Sequence, residues 1–271
     1  MKLSIITVNL NNAAGLKRTI ESVITQTFTD YEYIIIDGGS TDGSVDIIKQ
    51  YSDKITYWVS ESDKGIYNAM NKGVQKANGE YFIFMNSGDC FFSDILSKVH
   101  EQLNADIVCG NREMSLKDGE KDFHISPRKN DLSMWHFYIA NPFPHQACFI
   151  KGTLFQADSY NEENRIASDW EFFLKQTIIN NCSYEHIDAV IAIMEPYGIS
   201  HGFTPLHLEE RRESLEKMLP YRIRKDYEVL SLYKTSRLCS YIVTQKRAIR
   251  LERLITKIAK VLYFFHGLFK K

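Results

Sequence analysis

The sequence predicts an α/β fold, a mostly parallel sheet flanked by helices and followed by a helical, basic C-terminal extension. Three observations carry that expectation. Apolar runs of strand length recur through the first ninety residues, stretches with helical spacing fill the gaps between them, and the pattern from about Leu206 onward is helical and increasingly basic. At 271 residues, with 44% hydrophobic and 25% charged residues, the chain is long enough to bury a sizeable core and has the composition of an ordinary globular protein.

The elements follow in order. Residues 3–8, 33–36, 55–59 and 81–85 have strand length and a β-branched or aromatic bias. Between the first two, Leu16, Ile20, Val23 and Ile24 mark one face of a helix that Asn11 or Asn12 is suited to cap. Ile66, Met70, Gly73 and Ala77 mark another. Strands joined by single helices imply a parallel sheet covered on both faces, whose ligands bind at the carboxyl ends of the strands. That rule selects residues 7–12, 37–44 and 86–90. The second half is less regular: a Pro-rich stretch at 142–146, a helical face of Trp170, Phe173, Leu174, Thr177 and Ile178, and a strand over 186–194. The expected division is 1–205 for the α/β domain and 206–271 for the extension.

Cys90, Cys109, Cys148, Cys182 and Cys239 are odd in number and widely spaced, with no C-x-x-C pair; they are expected to be reduced, mostly buried thiols in a cytoplasmic protein. The N-terminus enters a strand at once and carries no signal-peptide pattern, so export is not expected. The formal net charge of −1 divides unevenly, at +10 over 222–271 and −11 over 1–221. In the tail, Ile249, Leu254, Ile255, Ile258, Val261, Leu262, Phe265 and Phe269 can share a helical face edged by Arg250, Arg253, Lys257 and Lys260. No stretch reaches the ~20 apolar residues of a spanning helix. The tail is expected to lie on the inner leaflet of the membrane, which makes the protein peripheral there, or to pack on its own domain or in a homodimer. Nucleic acid is not an expected partner, because the basic segment is apolar on one side and belongs to no recognition module.

Three short motifs can carry chemistry. Asp37-Gly38-Gly39-Ser40-Thr41-Asp42-Gly43-Ser44 follows a buried strand and opens a helix; its glycines allow close backbone approach to a ligand, although a capped turn explains the same residues. Asn86-Ser87-Gly88-Asp89 follows the most hydrophobic strand and can offer a carboxylate to Mg2+ or Mn2+, or can be a plain surface turn. In Ser168-Asp169-Trp170-Glu171, Ser168 and Glu171 have capping-box spacing, while Asp169 either favours the helix dipole or acts as a general base. His145, beside Gln146, and His201, in the loop 198–202, each have a binding reading and a structural one.

Taken in order, Ser4-Ile5-Ile6-Thr7-Val8-Asn9-Leu10-Asn11-Asn12, Ile35-Ile36-Asp37-Gly38-Gly39-Ser40-Thr41-Asp42-Gly43-Ser44, Ser60-Glu61-Ser62-Asp63-Lys64-Gly65-Ile66-Tyr67-Asn68-Ala69-Met70-Asn71-Lys72-Gly73 and Asn86-Ser87-Gly88-Asp89 resemble the opening of family 2 glycosyltransferases. The resemblance spans roughly residues 3–200 and is most specific over the first ninety. It implies a GT-A, Rossmann-like fold and inverting transfer from a nucleotide sugar, commonly a UDP-sugar, to a hydroxyl of a glycan or lipid-linked saccharide in cell-surface polysaccharide synthesis. It further implies that Asp37 faces the nucleotide base, with Thr7, Asn9, Gly39, Ser40, Asp63, Asn86 and His145 around the donor. Asp89 would hold a divalent metal, Mn2+ or Mg2+, on the diphosphate, joined by His201 in one reading, and Asp169 would be the base. The chain departs from the pattern by keeping one carboxylate where many members carry two or three, and by having Leu10 where Tyr is frequent. The competing readings are a non-catalytic membrane-associated scaffold and a sugar nucleotidyltransferase. The second would show a Gly-rich, basic phosphate loop near the N-terminus, and residues 7–15 offer none.

Overall fold

The structure, a computed structural model, describes residues 2–115, 120–195, 204–235 and 256. In chain order β1 (Leu3–Asn9), α1 (Ala13–Ile24), β2 (Tyr31–Asp37), α2 (Ser44–Gln50), β3 (Tyr57–Ser60), α3 (Ile66–Lys76) and β4 (Tyr81–Phe84) alternate as expected. They are followed by β5 (Cys90–Phe91), α4 (Leu96–Val99), β6 (Ile107–Ser115), β7 (Lys121–His124), α5 (Met134–Ile139), β8 (Cys148–Lys151), α6 (Gly152–Ala157), α7 (Ser168–Leu174), β9 (Tyr184–Met194), α8 (Pro205–Met218) and α9 (Tyr221–Thr235).

Among the described residues nine strands form one sheet, in the order β3-β2-β1-β4-β8-β6-β9-β5, with β7 added to β6. The half built from β1 to β4 is parallel throughout. Beyond β4 the sheet is mixed: β8 runs antiparallel to both β4 and β6, β9 runs parallel to β6, and β5 and β7 pair antiparallel. Alternation along β1 sorts the core into two faces. Leu3 and Ile5 pack with Leu16, Ile20 and Val23 of α1 and with Ile35 and Ile83. On the other face Ile6 lies so close to α3 that a Cβ on Gly73 would come within 2.5 Å of its Cγ2, which is why this helix position tolerates only glycine. A second packing centre is aromatic: Phe82, Phe84, Phe155, Tyr160 and Phe172 have ring centroids 4.7–6.0 Å apart.

Three local expectations change. Cys109 and Cys148 are not separate thiols: they face each other in register across β6 and β8 and are joined as a disulfide, whereas Cys90 and Cys182 are free among the described residues, outside which Cys239 lies. The capping box at Ser168 does not form. Ser168 Oγ accepts from the Asn161 amide at 2.6 Å, and Glu171 accepts from Asn164 Nδ2 at 2.6 Å and Ser214 Oγ at 2.7 Å, because the loop before α7 folds back over it. The first compact unit runs Met1–Met218 and the second Leu219–Lys271, so α8, expected in the extension, lies within the first unit. His207, Glu210, Arg211 and Ser214 are the α8 residues buried there. In the second unit α9 exposes Tyr221, Ile223, Val229 and Leu230. The amphipathic tail expected over 247–271 lies outside the described residues apart from Thr256, which is helical and exposed. No helix among the described residues is long and apolar enough to cross a membrane.

Candidate active site

Parallel register brings three polar strand ends side by side. Asn9 is opposite Asp37, and Asp37 is opposite Ser60. The Asp37 carboxylate is fully buried and accepts five hydrogen bonds: from Asn9 Nδ2 (2.7 Å) and Ser40 Oγ (2.6 Å) on one oxygen, and from Gly39 N (3.2 Å), Ser40 N (2.9 Å) and Ser60 Oγ (2.6 Å) on the other. Burial pushes this carboxyl up, but the bonds from Ser40, Ser60 and Asn9 outweigh it and its pKa falls below the ordinary value. A carboxylate has about four lone-pair directions, and these donors fill them. Asp37 thus organises its loop, with Asn9, Gly39 and Ser40 among the residues that hold its carboxylate. Gly39, at φ +83, is required because a Cβ there would approach Ser62 N at 3.4 Å in a backbone region that side chains disfavour. Thr7 is likewise structural: it is fully buried inside β1, with its hydroxyl on the Met85 carbonyl at 2.7 Å.

Open polar surface lies one position further on. A Cβ on Gly38 would stand 2.4 Å from Asp63 Oδ2 and 3.3 Å from Leu10 Cδ1, so the bare glycine lets the half-buried Asp63 carboxylate and the exposed Leu10 side chain meet over the strand ends. Asp63 Oδ1 accepts from Gly65 N at 2.9 Å, which orients it at the start of α3.

The loop after β4 is tied to α1. Thr19 Oγ1 lies 2.8 Å from Asp89 O, 3.3 Å from Asn86 O and 2.9 Å from Gly88 N, and Asn12 Nδ2 donates to Ser87 O at 3.1 Å. Asp89 is 6% exposed, and burial pushes its carboxyl up to about 7 against the pull of a Gln146 hydrogen bond and the Arg112 charge. Its Oδ1 also accepts from Glu195 N at 3.3 Å. Gly88, at φ +106, leaves a cradle: a Cβ there would stand 2.6 Å from Glu195 Oε2, and Glu195 is ion-paired with Arg18. The side-chain oxygens of Asn86 and Asn9 are buried at neighbouring strand ends without a hydrogen-bond partner among the described residues. A hard divalent cation fits this donor set, which consists of one buried carboxylate, an orphaned amide oxygen and a glycine cradle. Among the described residues no group of three or more His, Cys, Asp or Glu could hold a metal, so a cation here needs oxygens from its substrate. His201 lies outside the described residues.

His145, expected around the donor, sits in the aromatic packing centre. It is buried among aromatics, stacked on Phe84 with ring centroids 4.8 Å apart and with Nε2 2.8 Å from Tyr160 OH; burial lowers its pKa, against the pull of the Asp169 charge. Its neighbour Gln146 is the residue that reaches Asp89.

Asp169 is half-buried in the first turn of α7. Its Oδ1 is 2.8 Å from Tyr67 OH, which also lies 2.7 Å from Ile166 O. Tyr67 opens α3, directly after the loop that holds Asp63, so Asp169 reaches the same rim as the strand ends. Asp37, Asp89 and Asp169 thus share one edge. Two measurable pockets, of about 360 Å³ beside Lys129 and Tyr184 and about 200 Å³ beside Asp158 and Lys175, are lined by none of the three.

Comparison with known proteins identifies the family and the fold. The family described as glycosyl transferase family 2 matches residues 4–157. An uncharacterized glycosyltransferase of Mycobacterium tuberculosis is 30% identical over 215 residues, covering 75% of this chain and 78% of its own. A PGL/p-HBAD biosynthesis glycosyltransferase of Mycobacterium bovis is 29% identical, covering 64% and 68%. Among solved structures, S. aureus TarS in complex with UDP-GlcNAc superposes with a TM-score of 0.66 at 17% identity over 91% of this chain and 76% of its own. A mannosyltransferase of Pyrobaculum calidifontis in complex with GDP-Man and Mn2+ gives 0.55 at 11% identity over 97% and 87%. The folds are those of GT-A enzymes, and with more than half of its length matched by the family, this chain belongs to the family 2 glycosyl transferases.

Proposed function

We propose that the unit Met1–Met218 catalyses inverting transfer of a sugar from a UDP-sugar to a hydroxyl of a glycan or lipid-linked saccharide, in the assembly of a surface glycan. The observation that carries this reading is the environment of Asp169: a half-buried carboxylate with one oxygen fixed by Tyr67, on the rim it shares with the Asp89 loop. A general base needs that combination of access and orientation. UDP and UDP-sugar complexes of TarS, and the biosynthetic names of the mycobacterial relatives, support the donor and the pathway class.

In the reaction, the acceptor hydroxyl oxygen attacks the anomeric carbon from the face opposite the leaving group. The new C–O bond forms as the bond from that carbon to the diphosphate oxygen breaks, and the hydroxyl proton passes to Asp169. Asp89, with Asn86, would hold a divalent cation, which supplies neutralisation of the charge gathering on the departing nucleoside diphosphate. Asp63 and Leu10 border the space beside Gly38 where the nucleoside would lie, while Asp37, Asn9, Ser40 and Ser60 keep that rim rigid. Gln146 orients the Asp89 carboxylate.

A screen of nucleotide sugars with Mn2+, read by mass spectrometry with lipid-diphosphate-linked sugars as acceptors, tests the proposal. Asp169→Asn should bind UDP normally and lose transfer by at least 10²-fold, within the range a positioned base supplies. Asp89→Ala should lose transfer together with its Mn2+ response. Wild-type turnover in Asp169→Asn would remove the base assignment.

A further inference from the structure

From the way α8 grips the start of α7, we infer that Glu210 is the positioning residue for Asp169. The inference rests on the reading of Asp169 as the base. Glu210 is 6% exposed, and its carboxylate accepts from three consecutive backbone amides: Arg165 N at 2.7 Å, Ile166 N at 3.0 Å and Ala167 N at 3.0 Å. These amides lead into α7 and would otherwise be donors without a helical acceptor at a buried helix entrance. A single anion therefore fixes the stretch whose last peptide is two residues from Asp169. Nothing nearer in sequence replaces it, since Ala167, the residue capping α7, makes no side-chain cap bond.

The neighbouring residue strengthens the grip. Arg211 is buried, with its guanidinium 4.3 Å above the Trp170 ring and donating to the carbonyls of Phe137 and of Ala140, the latter at 2.7 Å. Burial lowers its pKa to about 10, opposed by the Asp169 charge, so it stays a cation near that carboxylate at neutral pH. Glu210 holds the backbone before Asp169, and Arg211 covers the residue after it. Tyr67 then meets Asp169 from α3, and its contact with the Ile166 carbonyl works only where Glu210 has fixed that peptide. The base is aligned from two elements more than forty residues away from it in either direction.

The test compares Glu210→Gln, Glu210→Asp and the exposed-face control Arg212→Ala in the full chain, with UDP as the binding probe and the UDP-sugar that is turned over as substrate. Turnover is counted per UDP-binding site, which removes any misfolded fraction. Glu210→Gln, whose amide presents one acceptor and a repelling N–H2, should lose at least tenfold in kcat with donor KM and UDP affinity within twofold of wild type. Amide exchange at 165–167 should quicken at the same time, Glu210→Asp should recover part of the rate, and Arg212→Ala should match wild type. Full turnover per site in Glu210→Gln, or a joint loss of UDP affinity and rate, overturns the inference. A parallel Asp169→Asn separates the two failures. Wild-type turnover in that variant removes the base itself, whereas an inactive Asp169→Asn beside a fully active Glu210→Gln removes only the clamp.

Discussion

The buried carboxyl of Asp89 makes stability and cation binding depend on pH in a direction that can be worked out. Its pKa stands at about 7 in the folded chain, against 3.8 for a solvated aspartate, chiefly because burial disfavours the charge. That displacement is a difference of about 4 kcal/mol between the two protonation states. Between pH 4 and 7 the folded chain keeps a proton that the unfolded chain has released, so without a cation stability falls as pH rises through this window and levels off above it. Carboxylates such as Asp37, with pKa values below the ordinary one, act in the opposite sense and at lower pH, where their stabilising contribution is lost on acidification. Asp89→Asn, which carries no charge at any pH, isolates the effect: wild type minus variant should change by several kcal/mol between pH 4.5 and 7.5, and the variant should be the more stable at pH 8. Urea unfolding in EDTA measures this. Added Mn2+ with UDP must displace the Asp89 proton, so the apparent Mn2+ affinity should weaken about tenfold per pH unit below 7. Parallel pH profiles for wild type and Asp89→Asn would refute the buried-acid account.

Two further outcomes are expected. Tyr67→Phe leaves Asp169 and the Ile166 carbonyl without their shared hydroxyl, and should cost about 1–2 kcal/mol in stability and lower kcat roughly tenfold with donor KM unchanged, in the pattern of a lost transition-state interaction; equal kcat would exclude a role for Tyr67 in orienting the base. Gly38→Ala puts a methyl 2.4 Å from Asp63 Oδ2 and must displace that carboxylate. Calorimetry should then find UDP binding weakened about tenfold, the scale of one charge-assisted hydrogen bond, whereas unchanged affinity would remove Asp63 from the nucleotide rim.

The parallel half of the sheet was legible because β1, β2 and β4 are buried on both faces and write themselves as mostly apolar runs, while the half-buried edge strand β3 keeps its aromatic and β-branched residues. The other half was not. β8 inserts between β4 and β6 although it follows them in sequence, and antiparallel pairing across such separations leaves no local pattern. At the site, residue types and their strand-end positions pointed to the right edge, but side-chain direction decided the roles. Thr7 faces the Met85 carbonyl inside the sheet, and His145 turns into the aromatic cluster while Gln146 turns out to Asp89. Spacing cannot distinguish such neighbours. Glu171 has capping-box spacing yet serves Asn161, Asn164 and Ser214, and the anion that does hold the entrance to α7, Glu210, comes from a helix whose sequence gives no sign of it. Both errors have one origin: the loop over 158–167 folds back on α7, and long-range contacts replace the local cap.

Three aspartates on one edge would repel one another and share one behaviour if their surroundings were alike; here environment separates them. Asp37 is saturated by five donors and held anionic, and its charge goes into fixing the ends of β1, β2 and β3. Asp89 is buried with few donors, so its charge is costly, which suits the cation site proposed for it. Asp169 keeps partial access to solvent and one oxygen fixed by Tyr67, which suits the role proposed for it. The three proposed roles thus follow from counting donors and exposure at each carboxylate. The division also bears on Gly38 and Gly88. Each leaves the space of one side chain beside an acid, and in each case a carboxylate from a different strand end, Asp63 or Glu195, lies in it. Acids at this rim therefore come from several strand ends rather than from one run, so an acid-poor motif read along a single loop underestimates how many acids the folded edge gathers.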